Sequence, residues 1–282
     1  MPELPEVETI RRALQKTLSG QKIRSVNVRF IKLFHGNPDT LKNQTITEIF
    51  RRSKVLIIQL SKSVLLIHLK MTGQLIYVPE HGEAIVGGHP DKVYSLNLPH
   101  KHSHIIFELD KGTLYFNDLR KFGWVKVYDN LEQAAHEFAK LGPEYTWPEY
   151  TLEHIFGKLA RRQNITIKQA LLEQSLVAGV GNIYADETLF CAKIRPTRKA
   201  KDVKPAEIKK IFECIPHVFE LSLKHGGTSS RDYLQPDGSL GTYLNFANVY
   251  KREGLPCKVC GNPIERIKIS GRSSHFCPNC QK

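Results

Sequence analysis

Apolar residues first recur at helical spacing and then change to alternation. Val7, Ile10, Leu14 and Leu18 share one side of a 3.6-residue period, which predicts a helix over 5–18, with Pro5 in its first turn and Gly20 at its stop. From Gln21 to about Asp129 the period becomes two. Val26, Val28 and Phe30 alternate with Asn27 and Arg29, and strand-like runs follow at 46–50, 54–60, 64–69, 74–78, 104–109, 113–116 and 124–128. Turn residues such as Pro38-Asp39 and Lys111-Gly112 separate them, and so many short strands predict a sandwich or barrel. The stretch 79–103, with its Gly, His and Pro residues, reads as an insertion-like loop. A short helix over 131–140 and the stop Leu141-Gly142-Pro143-Glu144 lead to a second helical region, with helices at 149–160, 165–174, 182–191 and 205–224. Pro216 is expected to kink or break the last of these. Residues 226–248 read as a long loop, functional or disordered.

Charge narrows the class of partner. The chain has 282 residues, with 41 Lys and Arg against 28 Asp and Glu, a formal net charge of +13. That balance favours a polyanion, nucleic acid before an anionic membrane surface. No apolar run approaches the roughly 18 residues of a membrane span, and the acidic N-terminus lacks the plan of a signal peptide. An intracellular, soluble protein without membrane contact is expected.

Six cysteines fall into two groups. Cys191 and Cys214 stand in apolar surroundings and read as core thiols. Cys257-x2-Cys260 and Cys277-x2-Cys280, each pair beside turn residues, have the spacing of a closed four-thiolate zinc site, which is structural because no coordination position is left open. Ile264 to Phe276 can form a hairpin around Ser270-Gly271-Arg272. This module carries Lys258, Arg266, Lys268, Arg272 and Lys282 against Glu265, and either reaches a phosphate backbone through Arg272 or is a solvated basic turn.

Two further features carry chemistry. Val177-Ala178-Gly179-Val180-Gly181-Asn182 lies between predicted helices, with Asn182 as an N-cap, and serves either as an anion site or as a plain helical turn. Pro2 follows Met1, whose removal leaves a secondary amine beside a helix N-terminus, where the positive dipole end disfavours the ammonium form. Such an amine is a nucleophile toward an electrophilic sugar carbon, with Glu3 at hand to move a proton; alternatively Pro2 and Pro5 only stiffen the terminus.

The chain resembles the formamidopyrimidine-DNA glycosylase family. The resemblance is carried by Pro2-Glu3-Leu4-Pro5-Glu6-Val7-Glu8-Thr9, Arg51-Arg52-Ser53-Lys54, His68-Leu69-Lys70-Met71-Thr72-Gly73, Lys101-His102-Ser103-His104, Asp118-Leu119-Arg120-Lys121-Phe122-Gly123, Leu141-Gly142-Pro143-Glu144, Val180-Gly181-Asn182-Ile183-Tyr184-Ala185-Asp186-Glu187 and the clustered cysteines, so it spans essentially the whole chain. It implies a multi-domain α+β protein: an N-terminal β-sandwich with a flanking helix over 1–130, a linker over 131–148, a helix–two-turn–helix domain over 149–248 whose loop 226–248 covers the lesion, and a four-cysteine zinc finger over 249–282 holding one structural zinc ion. The implied partner is double-stranded DNA with oxidised or abasic sites, and the implied protein is a monomer in the bacterial cytoplasm, associated with the nucleoid.

The implied activity is base excision of oxidised purines with associated strand cleavage. By this resemblance Pro2 attacks the sugar, Glu3 assists the opening ring, and Lys54 and Arg272 complete the catalytic set. His102, Lys168, Asn182 and Arg231 are DNA-binding positions. Met71, Arg120 and Phe122 fill the void left by a flipped nucleotide; without the resemblance, Met71 and Phe122 read as core. Ser53, Leu119, Lys121, Thr72 and Arg231 depart from residues of some members, and because Arg231 lies in the loop that the resemblance places over the flipped base, that loop leaves the exact lesion preference open. Two competing readings are an endonuclease VIII-like enzyme for oxidised pyrimidines, disfavoured by Leu4 and the Met71/Arg120/Phe122 set, and a non-catalytic damaged-DNA-binding protein, disfavoured by Pro2-Glu3.

Overall fold

Consecutive apolar residues in a strand require two dry faces. The computed structural model, which describes residues 1–88, 97–228 and 241–282, supplies them for the runs beginning at Val55 and Val64. Leu56, Ile58, Leu60, Leu65 and Ile67 face one core, while Val55, Ile57, Val64 and Leu66 face a second, closed by Ala134 and Phe138. These residues belong to the first of two compact units, residues 1–139 with 225–242; the second is residues 140–224 with 243–282.

Among the described residues of the first unit the strands form two five-stranded sheets. One runs in the order Ile23–Val28 (β1), Ser103–Leu109 (β8), Gly112–Asp118 (β9), Gly73–Pro79 (β6) and Ile85–Gly88 (β7), antiparallel throughout. The other runs Phe34–His35 (β2), Trp124–Tyr128 (β10), Val64–His68 (β5), Val55–Leu60 (β4) and Ile46–Arg52 (β3), antiparallel except for the short β2–β10 pairing. Side chains of both sheets, Phe107 and Phe116 against Leu56 and Ile67, share one core, so the unit is a sandwich. Each large apolar side chain fully buried there contributes about 1.5–3 kcal/mol.

Helix Leu4–Leu18 (α1) closes this core with Val7, Ile10, Leu14 and Leu18. Its polar side also guards an edge. β3 ends its sheet, and the backbone of Ile49 bonds to helix side chains: N–H to Gln15 Oε1 at 2.5 Å, and carbonyl from Arg11 Nη1 at 3.3 Å. The loop expected over 79–103 contains strand β7. Gly87 lies against Ile10, where a Cβ would come within 2.7 Å of Cγ1, so two glycines hide the strand from an alternation test.

The second unit is helical, with helices Leu152–Ala160 (α3), Ile167–Leu172 (α4), Asn182–Cys191 (α5) and Pro205–Lys224 (α6), following the single-turn helix Leu131–Ala134 (α2) of the first unit. Pro216 does not break α6. A proline at 216 leaves the carbonyl of Phe212 without its helical donor, and the Tyr150 hydroxyl supplies one at 2.7 Å while its ring stacks on Phe212 at 4.4 Å. The reading of Cys191 and Cys214 as core thiols is also corrected: the two form a disulfide joining the end of α5 to α6, their Cα atoms 5.9 Å apart. After the short helix Tyr243–Phe246 (α7), the buried Glu187 carboxylate accepts the backbone N–H groups of Asn248, Val249 and Tyr250 at 2.8–2.9 Å. The hairpin Glu265–Ile269 (β11) and Arg272–Phe276 (β12) turns at Ser270-Gly271, as the sequence predicts. Among the described residues no helix is long and apolar enough to cross a membrane.

Candidate active site and metal centre

The chain start is buried rather than frayed. Pro2 and Glu3 are both shielded from solvent, with Glu3 at the N-cap of α1. Met1 precedes Pro2, whose nitrogen is therefore a tertiary amide until Met1 is removed. The Glu3 N–H donates to Glu6 Oε2 at 2.8 Å, and Glu6 Oε1 accepts both the N–H and the hydroxyl of Thr228 at 2.9 Å. Glu6, given no role by sequence reasoning, thus ties the start of the chain to the entrance of the loop expected over 226–248. Arg231 lies outside the described residues. Lys54 is 6% exposed although it sits in a hairpin turn. Burial first, and then the positive charges of Lys70 and Lys54, push the His68 pKa down to about 3, so this imidazole is neutral at physiological pH.

Met71 and Phe122 are not core residues. They are 40% and 52% exposed, on two loops that one buried carboxylate holds together. Asp118 Oδ2 accepts the N–H groups of Phe122 at 2.8 Å and Gly123 at 2.7 Å; Oδ1 accepts Arg120 N–H at 3.1 Å and the Thr72 hydroxyl. Thr72 Oγ1 in turn accepts Arg120 N–H at 3.0 Å, which links the Met71 loop to the 119–123 loop. The Arg120 guanidinium lies over the Phe122 ring, 4.6 Å from its centroid. Arg120 and Phe122 are therefore stacked on one braced loop, and Met71 is presented on the loop that Thr72 ties to it. Asp118 lay within a quoted motif, but nothing in its residue type signalled this bracing role. His102, partly exposed, accepts Asp118 N–H with its carbonyl at 3.0 Å. Burial, and then the charge of Lys101 and the neighbouring histidines, lower its pKa.

In the second unit two expectations change. Asn182 is the first residue of α5, and Gly181 holds the N-cap position. The Asn182 side-chain amide is engaged elsewhere, donating to the Ser273 carbonyl at 3.0 Å. Lys168, expected on a DNA-binding surface, is 0% exposed. It pairs with Asp186 Oδ1 at 2.6 Å and donates to the same Ser273 carbonyl at 2.8 Å. Asp186 Oδ2 also accepts the His275 N–H at 2.9 Å. A lysine side chain this buried requires such a partner, and direct contact with a ligand is closed to it. Its effect is on the hairpin: Ser273 follows Arg272, which is exposed at the turn. Two of the module's basic groups are engaged internally, Arg266 with Glu253 at 2.6 Å and Lys258 with the Asn245 carbonyl at 2.8 Å.

The sulfurs of Cys257, Cys260, Cys277 and Cys280 all lie within 4.8 Å of one another, with Cys257–Cys280 at 3.9 Å and Cys260–Cys277 at 3.5 Å. A tetrahedral ion with Zn–S bonds of about 2.3 Å needs sulfurs about 3.8 Å apart, so the donor set fits zinc.

Comparison with known proteins agrees along the full length. Residues 1–125 match the formamidopyrimidine-DNA glycosylase N-terminal domain, 141–233 the H2TH domain of the same glycosylase, and 254–282 a zinc finger found in FPG and IleRS. A formamidopyrimidine-DNA glycosylase of Listeria monocytogenes is 41% identical over 289 residues, covering all of both chains. Among solved structures, a Lactococcus lactis FPG mutant with Fapy-dG-containing DNA aligns over all of both chains at TM-score 0.88 and 34% identity. The Lactococcus lactis Fpg with abasic-site DNA aligns over 99% of each chain at TM-score 0.86 and 34% identity. Together with the sandwich, the helical unit and the thiolate cluster, these matches define a DNA glycosylase of base-excision repair that acts on oxidised bases. The chain belongs to the formamidopyrimidine-DNA glycosylase family, and its four clustered cysteines hold one structural zinc ion.

Proposed function

We propose that this enzyme excises oxidised purines from duplex DNA and then cleaves the strand, using the Pro2 amine exposed by removal of Met1. The amine attacks C1′, the glycosidic bond breaks, the base departs, and Glu3 supplies a proton to the opening sugar ring. The resulting iminium permits β- and then δ-elimination. A neutral amine is favoured here because the N-terminus of α1, with its positive dipole end, disfavours the ammonium form. Lys54 acts beside this centre. His102, Asn182 and Arg272 hold phosphates, Lys168 acts through Ser273 on the Arg272 hairpin, and Arg231 is a DNA-binding residue. The partner is damaged double-stranded DNA, bound by a monomer in the bacterial cytoplasm beside the nucleoid. The Lactococcus lactis relatives, solved with Fapy-dG and abasic-site DNA, support this choice of lesion and product.

The observation that carries the reading is the exposure of Met71 and Phe122, with Arg120 stacked on Phe122, on loops braced by Asp118. Large apolar groups held rigidly in solvent are suited to replacing a base taken out of its stack. Borohydride trapping on a panel of lesion duplexes, with enzyme that retains Met1 as control, tests it. A covalent adduct with 8-oxoguanine and formamidopyrimidine duplexes, lost in the control, is expected. An adduct only with thymine glycol points to the pyrimidine branch, and none at all to a non-catalytic protein.

A further inference from the structure

The hairpin that presents Lys54 is tight. Arg52 pairs with Val55, so Ser53 and Lys54 alone make the turn between β3 and β4. Ser53 has φ +55°, the left-handed region that favours glycine because a Cβ there crowds the backbone. A side chain from the preceding strand props this conformation: Arg51 Nη1 donates to the Ser53 carbonyl at 3.0 Å. The same guanidinium donates through Nε to Glu8 Oε2 at 3.2 Å. Glu8 lies on α1, the helix whose N-cap is Glu3, and also accepts from Arg11 and Arg12 at 2.9 Å. Both members of the pair are shielded, the Arg51 side chain 11% and the Glu8 side chain 12% exposed. Burial alone would raise the Glu8 pKa, but hydrogen bonds from Arg11 and Arg12 and the charges of Arg51 and Arg11 hold it at about 2, so it is an anion at any working pH.

We propose that Glu8 and Arg51 are positioning residues: they fix the left-handed Ser53 turn against α1 and so set Lys54 relative to the chain's own N-terminal nucleophile. This rests on the roles proposed above for Pro2 and Lys54. Arg11 and Gln15 grip β3 at Ile49, and Glu8 continues that polar row toward the helix start. The row fixes how far along β3 the helix lies, and Arg51 carries that register into the turn.

Glycine needs no prop at this φ, which supplies the test. The full-length, zinc-loaded enzyme with Met1 removed is compared with Arg51→Gln, Ser53→Gly and the double variant. Single-turnover borohydride trapping is measured on a duplex with 8-oxoguanine opposite cytosine, and affinity on a duplex with a tetrahydrofuran abasic analogue. Arg51→Gln should slow trapping about 10- to 100-fold, the effect expected of an ångström-scale misplacement, with affinity unchanged. Ser53→Gly alone should match the wild type, and the double variant should recover most of the lost rate. If Arg51→Gln does not fold, Glu8→Gln takes its place, with a smaller loss that Ser53→Gly again rescues.

A wild-type adduct with unaffected Arg51→Gln overturns the clamp alone. So does a double variant no faster than the single, or an affinity loss that matches the rate loss, which makes Arg51 a DNA contact. A wild type that traps nothing overturns the Pro2 reading, and the clamp with it.

Discussion

Asp118→Asn keeps the shape of the buried residue that braces the Met71 and Phe122 loops and removes half of its accepting capacity. The carboxylate receives Phe122 and Gly123 N–H on one oxygen, and Arg120 N–H and the Thr72 hydroxyl on the other. An amide nitrogen in either place has hydrogens and no lone pair, so two donors face a third. Hydrogen bonds to a charged acceptor contribute about 1.5–3 kcal/mol each, and losing two costs about 3–6 kcal/mol. Thr72→Val is milder: it removes one donor to Asp118, while Arg120 N–H keeps the carboxylate, a cost of about 1.5–3 kcal/mol. The chain has two tryptophans, so a Trp147→Phe background leaves Trp124, the neighbour of Gly123, as sole fluorescent reporter of this unit. At a urea slope of about 2 kcal/mol per molar, Asp118→Asn should lower the midpoint by roughly 1.5–3 M and Thr72→Val by about half as much, roughly 0.75–1.5 M. An Asp118→Asn midpoint equal to that of Thr72→Val would refute the claim that one carboxylate organises the loop.

Cys260→Ser should release zinc and weaken DNA binding while the Trp124 unfolding signal stays in place; full zinc content by atomic absorption would contradict the ligand set. Lys168→Met leaves Asp186 as a buried charge without its lysine and should destabilise the second unit by about 3–5 kcal/mol, read by thermal melting, with DNA affinity falling too. A drop in affinity with no loss of stability would restore Lys168 as a direct contact. His68 titrates near 3 when folded and near 6.5 when unfolded, so its contribution to stability is intact above pH 6.5 and is lost as pH falls, by at most about 1.4 kcal/mol per unit. His68→Asn should flatten stability between pH 6.5 and 4, and an unchanged slope counts against the neutral imidazole.

Periodicity located most of the fold because most elements bury one or two defined faces. α5 and α6 begin and end where their patterns do, and β10 likewise. The misses have local causes. β7 was hidden by the glycines that let it pass under Ile10, and the continuity of α6 depends on a hydroxyl from Tyr150, remote in sequence from Pro216. The pairing of Cys191 with Cys214 is likewise a matter of helix packing rather than of spacing. At the candidate site, the thiolate cluster was legible from its spacing. The roles proposed for Met71, Phe122 and Pro2 rest on family motifs, since residue type alone suggested core or a stiff terminus. Asp118, Glu6 and Asp186 act by accepting hydrogen bonds from distant backbone, which no local pattern records.

The most direct test is to locate the covalent bond to DNA. Enzyme without Met1 is reduced with borohydride on an abasic duplex, digested, and the conjugated peptide sequenced by mass spectrometry. Attachment to the nitrogen of Pro2 is predicted. A conjugate mapped to Lys54 or any other interior lysine, or one formed equally well with Met1 retained, would contradict the account.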